Sequence, residues 1–345
     1  MRAQTIQVVH TCHALASRGH RVTLLCDREP GCPETGNQTL ASWGLSPVDT
    51  LNIELSPVRW RPGAGLWFRA RAALWGNRAG RDSIVYAREQ KYTPLVQQDA
   101  PIVYEAHACE KWVAEAENRE SGPVEALERG VLARCKALVT NCAGTRDALR
   151  EAYQTLPTQT YVIPNATAPD RVVPPNPSAV VTVGYTGSPR GYKGLETVLS
   201  SVSRWPAGVQ LELVGGAPAG AVLPTNVVAT PTLPYAELPA KLATFHALLL
   251  PLDDNLFGRR FTNPLKLWDY LATGLPIVAA DLPTVRDAAG GRPHYYQPGN
   301  EASVALAVRS ALAAGASEPL VRTWAERAAA IEVGLGAVLA GREPV

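Results

Sequence analysis

The chain has 345 residues, 46% hydrophobic and 19% charged, which supplies enough apolar side chain for two ordinary cores. A formal net charge of +2, with no acidic or basic tail, excludes the electrostatic footprint of a nucleic-acid binder and points to a small partner. There is no apolar run of roughly 18 residues to span a membrane. The opening MRAQTIQVV lacks a signal-peptide core, and the six cysteines form neither a C-x-x-C pair nor a metal-ligand spacing with histidine, so the sequence reads as cytoplasmic, with reduced core thiols and no metal site.

Residues 3–18, AQTIQVVHTCHALASR, predict a first helix on which His10 and His13 are packing or surface residues. Short Val/Ile/Leu-rich runs then alternate with helical patterns: RVTLLC, TLNIEL, SIVYA, PIVYE, ALVTN and TYVIP. That alternation is the form of a parallel sheet covered by helices on both faces. After TLNIEL, residues 59–81 hold six arginines and three tryptophans without one acidic residue. The stretch reads as a crossover helix that packs Leu66, Trp67, Ala70, Ala73 and Leu74 while its arginines snorkel, or as a peripheral membrane contact. His107 closes the PIVYE strand between Glu105 and Glu110, and Glu110 is a candidate acceptor-side carboxylate.

Residues 164–179 hold five prolines and no periodicity, which marks a linker between domains. A second set of strands follows: VVTVGYTG, VQLELVGG, NVVATP, ALLLPL, PIVAAD and HYYQP. Residues 318–340 form one long closing helical pattern. The first strand of this set runs through Gly184 and Gly187 into SPRGYKG, where small residues let backbone N–H groups approach an anion and Arg190 and Lys193 add two cations. In FTNPLKLWDYLATG, residues 261–274, Asn263 suits an N-cap, Pro264 the first helical position and Gly274 the C-terminal stop. The positive end of that short helix, with Lys266, suits a diphosphate, and Asp269 on the same face as Lys266 suits a ribose diol.

Taken together, VGYTGSPRGYKGLETVL, FTNPLKLWDYLATGLPIVAADLPTVRD, VIPNATAPD and PIVYEAH resemble the retaining glycosyltransferases of the GT-B fold, family 4. The resemblance implies an α/β protein of two Rossmann-like, doubly wound parallel-sheet domains facing a cleft. Residues 1–166 would form an acceptor-side domain, 167–179 the linker, 180–317 the nucleotide-sugar domain, and 318–345 a helix packing back across the first domain. It implies transfer of a sugar from a UDP-, GDP- or ADP-sugar to a glycan, lipid or small-molecule acceptor with retention of configuration and without a metal or cofactor. His107, Arg190 and Lys193 become the catalytic candidates. Gly187, Ser188, Arg190, Lys193, Thr262, Asn263, Pro264, Leu265, Lys266 and Asp269 become the donor-binding candidates.

Three departures accompany the likeness. The two glutamates that the family often carries eight positions apart are here Phe261 and Asp269, and Ser188 stands near the place of the loop arginine. The family's first strand and cleft loop should precede the first helix, so the fold is expected without its first N-terminal strand, as a misplaced start would leave it. The alternatives are a sugar-nucleotide 2-epimerase-like isomerase and a non-catalytic binding or partner subunit.

Overall fold

The computed structural model describes residues 3–28, 30–58, 63–79, 83–168, 173–189 and 194–340. The chain divides into two compact units, Met1–Pro164 with Trp324–Val345, and Asn165–Thr323. The division falls ahead of the linker expected over 167–179, because the start of that stretch is tied into the second unit. Thr167 bridges to Thr323 and donates its N–H to the Arg322 carbonyl at 2.8 Å. Asn176 and Ser178 donate theirs to Ala243 and Thr244.

In the first unit, β1 (Val22–Arg28) pairs with β2 (Leu51–Val58). A separate sheet runs in the order β3 (Val85–Ala87), β4 (Ile102–Ala106), β5 (Ala137–Thr140) and β6 (Gln159–Val162). All of these pairings are parallel. Among the described residues no ladder joins the two sheets, so the doubly wound sheet expected for this half is divided. Every residue of β4 and β5 is buried, as a parallel strand covered on both faces requires. The closing helix Trp324–Ala340 returns to this unit and packs on the first helix, Ala3–Ser17.

The helix Ala64–Arg78 corrects the expected packing face. Leu66 is 72% exposed and Ala70 and Leu74 also face solvent, whereas Ala64, Phe68 and Gly76 are buried. Phe68 packs on Tyr92 with ring centroids 4.6 Å apart, and a Cβ on Gly76 would lie 2.9 Å from Val96 Cα, so a ridge of small and aromatic groups sets the rotation. Arg59, Trp60 and Arg81 lie outside the described residues. Of the thiols expected in cores, Cys109, Cys135 and Cys142 are buried and Cys12 and Cys26 half-buried, whereas Cys32 is exposed.

The second unit holds a six-stranded parallel sheet in the order β12 (His294–Tyr296), β11 (Ile277–Ala280), β10 (Ala247–Leu250), β7 (Thr182–Thr186), β8 (Gln210–Val214), β9 (Val227–Thr230). Leu211, Leu213, Leu248 and Leu249 are fully buried in its core, and each such side chain contributes about 1.5–3 kcal/mol. Gly184 on β7 leaves room for Phe245, whose ring would lie 2.2 Å from an added Cβ. The strand order reverses between β7 and β10. In an open α/β sheet that reversal opens a crevice beyond the carboxyl ends of the two strands, where ligands bind.

Candidate functional site

The end of β7 is held by the helix Leu265–Thr273. The Tyr270 hydroxyl lies 3.0 Å from both the Thr186 N–H, which donates to it, and the Thr186 hydroxyl. The chain then turns through Gly187, whose φ of +123° favours glycine. Gly215 packs so closely that a Cβ there would sit 2.5 Å from the Gly187 carbonyl oxygen. Ser188 is exposed, and its carbonyl accepts the Tyr185 hydroxyl at 3.1 Å. The Lys266 ammonium lies 4.1 Å above the Tyr185 ring, and a Cβ on Gly187 would come within 3.1 Å of it. Two segments 79 positions apart, at Gly187 and Lys266, therefore place bare backbone beside a cation. Arg190 and Lys193 lie outside the described residues.

The capping expected at residues 263–264 is corrected. The helix begins at Leu265, Pro264 occupies the N-cap position, and no side chain caps it. Asn263 is 7% exposed and its Oδ1 is claimed elsewhere, by the Asn165 N–H at 2.8 Å and the Trp268 indole N–H at 2.9 Å. Asn165 answers with a bond from its amide nitrogen to the Asn263 carbonyl at 2.6 Å. Thr262 is 6% exposed and its hydroxyl donates to Phe257 O. Pro264, Leu265 and Lys266 are half-buried. Gly274 ends the helix at φ +71°, the left-handed stop expected of it.

Asp269 is 7% exposed, and its Oδ1 accepts the Thr167 hydroxyl at 2.6 Å. The carboxylate is thus far more enclosed than its place on the helix face suggested. Phe261 is 1% exposed and meets Phe257 edge to face, ring centroids 6.0 Å apart, so the position that often holds a glutamate in the resembling family is part of the packing here.

Asp253 escaped the sequence reading. It follows β10 at the strand reversal, accepts the Gly194 N–H, and has its carboxyl pushed up, first by burial. With Gly194, Thr197, Leu252 and Tyr296 it lines a cavity of about 270 Å³. An acid three residues past an all-apolar strand at the switch point is the signal that could have found it.

In the first unit, His107 follows β4 and donates from Nε2 to Glu105 Oε1 at 2.7 Å. Glu105 is 1% exposed and also accepts from Gln7 Nε2 at 2.8 Å, the Tyr86 hydroxyl at 2.5 Å and Arg327 Nη2 at 2.7 Å. Burial alone would raise the Glu105 carboxyl, but Arg327, His107 and Arg88 outweigh it and hold it well below the usual carboxylate range. Burial lowers His107 despite the upward pull of Glu105. Glu110 is half-buried and pushed up, first by burial and then by Glu128. Glu128 is itself fully buried and accepts the Glu110 and Lys111 N–H groups at 3.0 and 3.3 Å, capping the helix Glu110–Ala116.

Two α/β units of parallel sheet, the second with a glycine turn and a lysine at its strand reversal, are the architecture of the GT-B glycosyltransferases. Residues 4–171 match the Glycosyltransferase Family 4 profile. The chain as a whole has the GT-B fold. It is similar in fold to sucrose-phosphate synthase from Thermosynechococcus elongatus, with a TM-score of 0.70 at 16% identity, covering 98% of this chain and 88% of that one. Anabaena HepE in complex with UDP and glucose aligns with a TM-score of 0.64 at 14% identity, over 96% of this chain and 93% of that one. A glycosyltransferase from Rickettsia africae aligns with a TM-score of 0.62 at 13% identity, over 98% and 92%. No curated protein matches the sequence. Among the described residues, no helix is long and apolar enough to cross a membrane.

Proposed function

We propose that the protein moves a sugar from a nucleoside-diphosphate sugar, UDP-, GDP- or ADP-linked, to a glycan, lipid or small-molecule acceptor, with retention of configuration and without a metal ion. The observation that carries this reading is the Lys266 ammonium held against Gly187 at the strand reversal of the second unit. As the glycosidic bond breaks, negative charge grows on the leaving diphosphate. A fixed cation and the N-terminus of the helix Leu265–Thr273 stabilise that charge without reorganising. Arg190 and Lys193 join them in this reading, on the strength of the sequence pattern.

Asp269 takes the ribose hydroxyls, its orientation fixed by Thr167. Thr262, Asn263, Pro264 and Leu265 shape the same end of the helix. The acceptor belongs to the first unit, where His107 serves as the catalytic histidine. A cytoplasmic protein touching an anionic membrane surface through residues 59–81 fits the exposed Leu66 and Leu74 on a helix that also carries Arg69 and Arg78. HepE was crystallised with UDP-glucose, which favours uridine nucleotides as the first donors to test.

The test is a thermal-shift panel of UDP, GDP and ADP on wild type, Lys193→Ala and Lys266→Ala, followed by hydrolysis of UDP-, GDP- and ADP-glucose. One nucleotide should stabilise the wild type and lose most of that effect in both variants. Equal shifts in all three proteins would remove the proposed site.

A further inference from the structure

Arg327 is the largest fully buried side chain of the first unit, and it comes from the far end of the chain. It donates to Glu105 at 2.7 Å, to the Thr11 hydroxyl at 2.7 Å and to the Pro164 carbonyl at 3.2 Å. Its charge keeps Glu105 ionised, and an ionised carboxylate can only accept. The bond between Glu105 Oε1 and His107 Nε2 therefore carries its proton on the histidine. A neutral imidazole protonated at Nε2 has a bare lone pair at Nδ1. No described residue donates to that Nδ1, and the side chain remains 21% exposed, so part of the ring is open to a ligand.

We propose that Glu105 and Arg327 are positioning residues that hold His107 in its Nε2–H tautomer and thereby make Nδ1 a hydrogen-bond acceptor for a sugar or acceptor hydroxyl. This deepens the glycosyl-transfer reading above and rests on it for the reaction, though not for the tautomer. The arrangement excludes a role for His107 as a proton donor to phosphate. It accounts for a fully buried charge pair sitting two residues before the candidate histidine. Around the ring the charged and titratable groups are Glu105 on β4, Arg88 after β3 and Arg327 from the closing helix, with Tyr86 and Cys12 beyond Glu105.

The experiment is nitrogen-15 NMR of the histidine side chains in the full chain, with His107 assigned through His107→Gln. Wild type near pH 7 should show a protonated Nε2 and an unprotonated Nδ1. Removing each charge should move the His107 titration in opposite directions, upward in Arg327→Met and downward in Glu105→Gln, while Arg327→Lys leaves it near wild type. Should a single variant fail to fold, the wild-type tautomer alone decides the geometry. With UDP-glucose as the probe, Glu105→Gln should lower kcat by about 100-fold while KM changes little, as expected for a misplaced catalytic group. A proton on Nδ1 in wild type, or a titration unmoved in both charge variants, overturns the proposal. So does a kcat unchanged in Glu105→Gln. Absence of turnover in wild type would count against the transferase reading, and the NMR result would still stand or fall by itself.

Discussion

Arg327→Met removes the guanidinium that is bonded to Glu105 and leaves a carboxylate 1% exposed to solvent with its main cation gone. Breaking a buried ion pair from one side costs about 3–5 kcal/mol, because the surviving charge remains desolvated. At about 2–4 °C per kcal/mol for a unit of this size, the melting temperature of the first unit should fall by roughly 6–20 °C. The double variant Arg327→Met, Glu105→Gln removes both charges and keeps an acceptor for Gln7, Tyr86 and His107, so it should recover much of the loss. Urea titration followed by tryptophan fluorescence at pH 7 measures all three proteins. The pH dependence adds a second check. The folded carboxyl of Glu105 lies below its unfolded value, so its contribution is fully present above about pH 4.3 and is lost as pH falls toward the folded value. His107 is also lowered by folding, so below about pH 6.5 the unfolded chain binds the extra proton and stability falls in the same direction. A single variant that loses less than about 1 kcal/mol, or a double variant as unstable as the single, would refute a buried pair whose charges depend on each other.

Three further substitutions probe the second unit. Lys266→Ala should weaken binding of the preferred nucleoside diphosphate by roughly 10–100-fold in calorimetry, the size of one lost charge-assisted bond, with little change in stability. Thr167→Val leaves Asp269 Oδ1 without the hydroxyl 2.6 Å away, and denaturation should register a loss of about 1–3 kcal/mol. Phe261→Glu restores the letter that the resembling family often carries, but at a site 1% exposed the new carboxylate has no water, so the variant should lose stability and gain no donor hydrolysis. An active, stable Phe261→Glu protein would mean that residue 261 lines the donor site.

The strands were legible because parallel strands covered on both faces read as unbroken apolar runs: ALLLPL and PIVAAD gave β10 and β11 directly. Gly274 was legible because a glycine directly after an apolar helical pattern adopts the left-handed stop without a Cβ clash. Asn263 misled, since its local preference for capping loses to two partners, one of them 98 positions earlier. Glu105 offered no local signal at all. Its role depends on a guanidinium 222 positions away, and on a strand of apolar neighbours it looked like a flank to His107. The packing face of Ala64–Arg78 failed for a related reason, because a small residue, Gly76, set the contact and the larger Leu66 did not.

The return of the last helix to the first unit also constrains the order of events during synthesis. A growing chain that has reached Pro164 has every described strand of that unit, yet its Glu105 carboxylate has no guanidinium from Arg327 until that residue leaves the ribosome. The second unit, Asn165–Thr323, can complete its sheet in the meantime from contiguous sequence. The half that is made first is thus the half that matures last. A nascent chain stalled before Trp324 should show a protease-resistant second unit joined to a first unit that is still open to cleavage.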